Sequence, residues 1–346
     1  MKKQINQDLS PFTKSGVTKE DLDELMQDQQ RKGNPLFLVR YTICNQQISV
    51  FHLPTDHPGV LGRLSLVNAA FSKLIESTPL PDLDFVVSML DSLDGIHSKI
   101  PIFAFANDPT YFSNSVLIPD FEALTGNEHL LRAVQQGKEL YPWESKFNLV
   151  IWRGSMTGYP FQESQIRPVF SPPRMGGIFT KDNFLDFPRT MAVSLSLQFP
   201  HFINARYTFL SQCIDCPGIQ SQFSQYFDSL MPINHQLLYK YQLLLDGNTA
   251  AFSRAYWQLF SNCVIFKQNS DAVQWYSQAL QPWIHYIPIQ SDLSDLMDVI
   301  IWARNHDDLA KNISLNAQNF AKNNLTYFHV MQYLYLLLYE YSTLQK

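Results

Sequence analysis

Charge is scarce in this sequence. Asp, Glu, Lys and Arg make up 16% of its 346 residues, so the surface must rely on Asn, Gln and Ser. The 26 basic and 31 acidic residues give a formal charge of -5, which argues against the basic excess or stripe of a nucleic-acid-binding protein. Cysteine is scarce as well: Cys44, Cys213, Cys216 and Cys263 are the four. Cys213 and Cys216 make half of a zinc site, but no second such pair and no His-x-x-x-His lies near them, so no metal site is expected. They read instead as loop or helix-end thiols in a reducing compartment, and Cys263, inside an apolar run, as a small core residue. No stretch reaches the roughly 18 uninterrupted apolar residues of a membrane span. The opening MKKQINQDLSPF has no apolar leader core. Cytoplasmic localisation is the simplest expectation, with peripheral attachment to the inner membrane face or export as an effector left open. There is no internal repeat and no low-complexity tract.

Apolar material is what the chain has in quantity. It is 45% hydrophobic and 14% aromatic, enough for a sizeable core in two domains. Thr18 and Asp21 have the spacing of a capping box at a helix start. The run 36–52 predicts a hairpin turning at Asn45-Gln46-Gln47. Helical spacing covers 61–75 and 128–139. The runs 84–91 and 100–106 read as buried parallel strands. A boundary at Tyr141-Pro142-Trp143 precedes a strand over 147–152. Residues 159–186 read as an ordered loop region, 189–199 as short and mixed, and 219–230 as a helix. The clearest series spans 239–288: an apolar run to Leu245, the turn Asp246-Gly247-Asn248, a helix through Phe260, an apolar run over 263–266, a helix carrying Trp275 and Tyr276, and a last strand ending at Pro288. Helices follow over 292–304, with Ser291 as N-cap, over 307–323, and over 326–343. The last is apolar on almost every side and must be buried against more than one partner. The expectation is an α/β protein with two sheet domains, ligand loops at the strand ends and a cleft between the halves.

Four places could carry chemistry. Arg153 follows a buried-looking strand, and with the Gly154 and Ser155 N–H groups and the Ser155 and Thr157 hydroxyls it could clamp a phosphate; the plainer reading is an arginine in a salt bridge at a strand end. Arg254 lies in a helix opening at Asn248-Thr249-Ala250-Ala251, whose N-terminus would favour a diphosphate; the plainer reading is an ordinary turn and cap. Asp91, at the end of a buried strand, could take a proton from a hydroxyl, although it or Asp94 could equally cap a turn. His285, between Trp283 and Tyr286, is either a satisfied structural histidine or a donor to the diphosphate.

Taken in order, Trp152-Arg153-Gly154-Ser155-Met156-Thr157-Gly158, Asp246-Gly247-Asn248 with Arg254, Leu280-Gln281-Pro282-Trp283-Ile284-His285-Tyr286-Ile287-Pro288 and Trp302-Ala303-Arg304-Asn305-His306-Asp307-Asp308 resemble glycosyltransferase family 90. The resemblance is strong from 147 to the end and weaker over 84–121. That family includes Rumi-type protein O-glucosyltransferases, capsule-associated xylosyltransferases and bacterial lipopolysaccharide-modifying enzymes. The resemblance implies a GT-B fold: 1–143 as an acceptor-side α/β domain, 144–325 as a Rossmann-like nucleotide-sugar domain, and 326–346 as a helix packing back across the hinge. It implies inverting transfer of a hexose or pentose, glucose or xylose, from a UDP-sugar to an acceptor hydroxyl, without metal or cofactor. Asp91 falls on the family's catalytic base. Arg153, Gly154 and Ser155 fall on its RGS motif. Thr249, Ala250, Ala251, Phe252, Ser253 and Arg254 fall on its second nucleotide loop, whose Asp246-Gly247-Asn248 start is the microbial form. Arg167 matches a polar residue after the RGS loop, at longer spacing. Met156 stands where animal members have arginine, so one phosphate or sugar contact is expected to be absent. A bacterial enzyme acting on lipopolysaccharide, another glycan or a lipid-linked acceptor is the main expectation. The alternatives are transfer to Ser or Thr of a protein, a binding protein without catalysis, and a GT-B enzyme using another nucleotide.

Overall fold

The computed structural model describes residues 2–34, 36–91, 93, 99–107, 115–161 and 177–346. Two helices come first, α1 (Lys2–Leu9) and α2 (Lys19–Arg31). The capping box is present: Thr18 Oγ1 accepts from the Asp21 N–H at 3.2 Å, and the Asp21 carboxylate accepts from the Thr18 N–H at 3.0 Å. Strands β1 (Leu38–Cys44) and β2 (Gln47–His52) form the expected hairpin. Its turn residues, Asn45 and Gln46, have φ of 51° and 61°, the backbone that a two-residue hairpin loop needs. Helix α3 (Pro58–Ser77) leads to β3 (Leu83–Ser88), β4 (Ile102–Ala104) and β5 (Ser115–Leu117). This sheet has the order β2-β1-β3-β4-β5. β3 is parallel to β4 but antiparallel to β1, so the purely parallel setting expected for 84–91 is corrected to a mixed one. β3 also stops at Ser88, which leaves Asp91 in the segment that follows.

Helix α4 (Glu128–Leu140) precedes the second unit, made of β6 (Phe147–Ser155), α5 (Pro188–Gln198), β7 (Ile203–Phe209), α6 (Cys216–Gln222), β8 (Tyr239–Leu244), α7 (Phe252–Phe260), β9 (Val264–Gln268) and β10 (Ile287–Ile289). Its sheet is parallel throughout, in the order β10-β9-β8-β6-β7. The chain turns one way from β6 to β7 and the other way to β8, so β6 and β8 flank the topological switch point, where α/β sheets open a crevice for ligands. Several expectations shift. β6 runs through Ser155, α5 occupies a stretch read as short and mixed, β7 forms where no element was expected, and α6 starts and ends earlier than the helix expected over 219–230. α7 begins at Phe252 rather than at Asn248. The helix expected around Trp275 and Tyr276 is only a 3-10 turn at Ser277–Ala279, because both aromatic rings are buried in an irregular segment. Cys213 and Cys216 are joined as a disulfide instead of standing as separate thiols. Cys263 is buried, as expected.

The chain ends in α8 (Leu296–Asn305), α9 (Asp307–Asn324) and α10 (Tyr327–Ser342). Asp295, not Ser291, takes the N-cap place of α8. α10 lies along the first sheet. The Tyr341 hydroxyl donates to the Asp84 carbonyl at 3.1 Å and the Tyr333 hydroxyl to the Leu117 carbonyl at 2.9 Å. The Tyr341 ring meets Phe103 edge-on at 5.1 Å, and Trp275 of the second unit lies 4.6 Å from Tyr333. A helix apolar on almost every side thus finds partners in both units. The units also meet where Asn107 and Val273 exchange backbone hydrogen bonds of 3.0 and 2.7 Å. The chain is an α/β protein of two sheet units, in keeping with the GT-B class. Among the described residues no helix is long and apolar enough to cross a membrane.

Tyr341→Phe keeps the ring and removes its hydroxyl bond to Asp84. It should lower the unfolding free energy by about 1 kcal/mol, and Tyr333→Phe by a similar amount, both read as denaturant midpoints. Unchanged midpoints would show that these bonds do not hold α10.

Candidate functional site

The site is built on the C-terminal ends of β6 and β8. Trp152, fully buried in β6, forms its floor. Gly154 is required beside it, because a Cβ there would lie 2.6 Å from the Trp152 ring. Arg189, from the first turn of α5, enters from the side and is 8% exposed. Its Nε donates to the Asp246 carbonyl at 2.9 Å, Nη1 to the Ser155 carbonyl at 2.9 Å and to the Thr157 hydroxyl, and Nη2 to the Leu245 carbonyl at 3.3 Å. One guanidinium therefore ties the loop after β6 to the loop after β8. Gly247 packs against it, and a Cβ there would come within 2.9 Å of Arg189 Nη2 and Thr157 Oγ1.

Arg254, from the first turn of α7, donates through Nη2 to the Arg153 carbonyl. Its guanidinium lies 5.8 Å from the centre of the Trp152 ring, and that of Arg189 lies 5.6 Å from the same ring. Burial pushes both groups below their ordinary pKa, and the charge of Arg189 adds to the effect on Arg254. An arginine still keeps its proton in such a place. Among the described residues neither makes a carboxylate ion pair; the Asp246 charge acts on Arg189 and no carboxylate charge acts on Arg254, so the pair keeps an excess of positive charge.

The loop between β8 and α7 adds donors. Thr249 is buried, and its hydroxyl has no hydrogen-bond partner among the described residues. Ala250 packs on Ala106 and Ala272. Ala251 is the N-cap of α7 and offers no side-chain oxygen, so the first-turn N–H groups of Phe252, Ser253 and Arg254 have no side-chain acceptor there. The Asp246 side chain accepts from Ser270, and its N–H donates to Gln268 Oε1 at 3.3 Å. Two arginines, an orphan hydroxyl and an uncapped helix end meet here, an arrangement suited to an anion.

The other sequence candidates lie as follows. Arg153 is buried with its side chain turned to β7: Nη1 donates to the Asn204 carbonyl at 3.0 Å, and Nη2 to Asn204 Oδ1 at 2.9 Å and Asp228 at 3.1 Å. It reaches the site through its carbonyl. Met156 is fully buried in the second unit's core. Asp91 faces the second unit, where Oδ2 accepts from Asn248 Nδ2 at 3.1 Å, while Oδ1 pairs with Arg63. Asn248 Oδ1 in turn accepts from Gln212. His285 accepts the Gln281 N–H at Nδ1 at 2.9 Å and rests 5.0 Å from the Phe320 ring. Among the described residues it makes no hydrogen bond to the 246–254 segment. Arg167 and Asp94 lie outside the described residues. Sequence reasoning missed Arg189 and Arg63. For Arg189 the signal was an arginine directly after Pro188, the position of a helix first turn. Arg63 carries no such signal.

The model of glycosyl transferase family 90 matches residues 1–168 and 181–346. Protein O-glucosyltransferase 2 of Danio rerio is 29% identical over 99% of this chain and 62% of its own length. Protein O-glucosyltransferase 3 of Homo sapiens is 27% identical over 89% of this chain and 55% of its own. The chain thus spans less than two thirds of these relatives. Among solved structures, the Anabaena protein Alr3699/HepE in complex with UDP and glucose aligns over 79% of this chain and 74% of its own, at 10% identity and a TM-score of 0.42.

His285 generates a pH prediction. Burial lowers its pKa below the ordinary 6.5, and protonating Nδ1 removes the acceptor for Gln281. The folded state then binds fewer protons than the unfolded one, so this contribution is present above about pH 6.5 and lost as pH falls below it. Melting temperatures of the wild type should fall more steeply on acidification than those of His285→Gln. Parallel profiles would remove His285 from the pH response.

Proposed function

The chain belongs to glycosyl transferase family 90, and on that premise we propose that it transfers glucose from UDP-glucose to an acceptor hydroxyl with inversion at the anomeric carbon. The observation that carries this reading is the Arg189–Arg254 pair over Trp152, which makes no carboxylate ion pair among the described residues and has only the Asp246 charge acting on it. A diphosphate supplies the missing negative charge. Its oxygens meet Arg254, the Thr249 hydroxyl and the first-turn N–H groups of α7. The charge that grows on the leaving diphosphate is then met by fixed positive groups in a partly dry site, and the reaction needs no metal for that purpose. Arg189 holds the two loops, and Arg153 holds Arg254 through its carbonyl. Asp91 takes the acceptor proton as the hydroxyl oxygen bonds to the anomeric carbon and the bond to the diphosphate breaks.

The names of the relatives, protein O-glucosyltransferases, favour a serine or threonine of a protein as acceptor over the lipopolysaccharide or other glycan read from the sequence. They favour glucose over xylose in the same way. The Cys213–Cys216 disulfide favours an oxidising compartment over the cytoplasm.

Asp91→Asn should lower UDP release from UDP-glucose by about 100-fold or more while leaving UDP affinity unchanged. Wild-type turnover by that variant would remove Asp91 from the mechanism, and no turnover of any UDP-sugar by the wild type would favour the binding-only reading. Arg254→Ala removes a charged hydrogen-bond donor and should weaken UDP binding about 10- to 100-fold by calorimetry. An unchanged dissociation constant would refute its role. UDP should raise the melting temperature more than GDP does, and the reverse order would assign another nucleotide.

A further inference from the structure

Arg63 sits where the two units meet. It projects from α3 with its guanidinium held on three sides. Nη2 pairs with Asp91 Oδ1, Nη1 donates to the Met89 carbonyl at 2.7 Å, and the plane lies 4.8 Å from the centre of the Phe121 ring. Two of these neighbours continue across to the second unit. Asp91 Oδ2 accepts from Asn248 at 3.1 Å, and Phe121 meets Phe252 edge-on at 6.0 Å. Asn248 and Phe252 bracket Thr249, Ala250 and Ala251, the segment assigned above to the diphosphate.

We propose that Arg63 is a positioning residue for transfer: it fixes the Asp91 carboxylate and the Phe121 ring, two of the places where the first unit meets the donor loop. The proposal rests on the transferase reading. A carboxylate offers about four lone-pair sites. Arg63 takes one on Oδ1 and Asn248 one on Oδ2, so each oxygen keeps a site for an acceptor hydroxyl. With a different partner on each oxygen, the carboxylate cannot rotate without breaking a bond. The Arg63 and Asp91 side chains are 22% and 21% exposed, which leaves the carboxylate within reach of an incoming group. Because Asn248 belongs to the donor loop, the aim of the base depends on the order of that loop. A lysine cannot reproduce the clamp, since one ammonium lacks the planar fork that bonds Asp91 and Met89 while stacking on Phe121.

The test uses the whole chain with UDP-glucose, reading UDP release, together with UDP binding by calorimetry. Arg63→Ala should lower kcat about 100-fold, the scale expected from misplacing a catalytic group, with a far smaller change in UDP affinity. Added guanidinium ion should restore part of the rate, which a merely structural defect would not allow. Arg63→Lys keeps the charge and should lose a smaller part of kcat; it carries the kinetic test if the alanine variant fails to fold. A double-mutant cycle of Arg63→Lys with Asp91→Asn, followed by denaturant unfolding without nucleotide, should be non-additive. Unchanged kcat, a matching loss of UDP affinity, or an additive cycle would overturn the proposal. If the wild type turns over no UDP-glucose, the transferase reading fails, and the unfolding cycle still decides whether Arg63 holds Asp91.

Discussion

The Arg189 guanidinium accounts for the shape of the region above the second sheet. Three of its acceptors are backbone carbonyls, those of Ser155, Leu245 and Asp246, brought together at the ends of β6 and β8. Buried carbonyls need donors, and one planar fork supplies them across two loops at once. This closure presses Gly247 against the arginine and lays a cation over Trp152. A second cation, Arg254, then shares the same ring. Two like charges held this close in partial burial oppose each other, and a bound anion relieves that opposition.

The rest of the molecule brings a carboxylate to the loop beside this centre. α10 ties the first sheet through Tyr333 and Tyr341 and meets the second unit at Trp275. The Asn107–Val273 exchange adds a backbone bond between the units. Within that frame Asp91 reaches Asn248, and Phe121 reaches Phe252. The segment after β3 and the loop after β8 are therefore held together by contacts on both sides of Thr249, Ala250 and Ala251.

Much of the fold was legible because its signals are local. Thr18 and Asp21 make a capping box three positions apart, and the hairpin at Asn45-Gln46 follows from alternation on both sides of a polar turn. The series from Tyr239 to Pro288 declares its strands by buried runs and its loop by Asp246-Gly247-Asn248. The failures have physical causes too. α5 mixes buried Arg189, Thr190 and Ser196 with apolar residues, which blurs its helical face. β7 alternates Ile203, Ala205 and Tyr207 inward, but Asn204 and Arg206 interrupt the apolar run that marks the other strands. Trp275 and Tyr276 resemble helix residues, yet they are fixed by burial against other elements.

The site divides along the same line. The sequence by itself determined that a strand leading into Arg153-Gly154-Ser155 and a loop leading to Arg254 belong to one sheet unit, and that Asp91 lies at the end of a strand of the other. Strand runs, turn residues and motif spacing are written within a few positions of one another. Only the tertiary structure decided which side chains meet. It turned Arg153 toward Asn204 and Asp228 and set Arg189 on the loop carbonyls. It buried Met156 in the core, drew His285 to Phe320, and clamped Asp91 between Arg63 and Asn248. These pairings join residues far apart in the chain. They follow from strand order and from the need of each buried polar group for a partner, which no local pattern records.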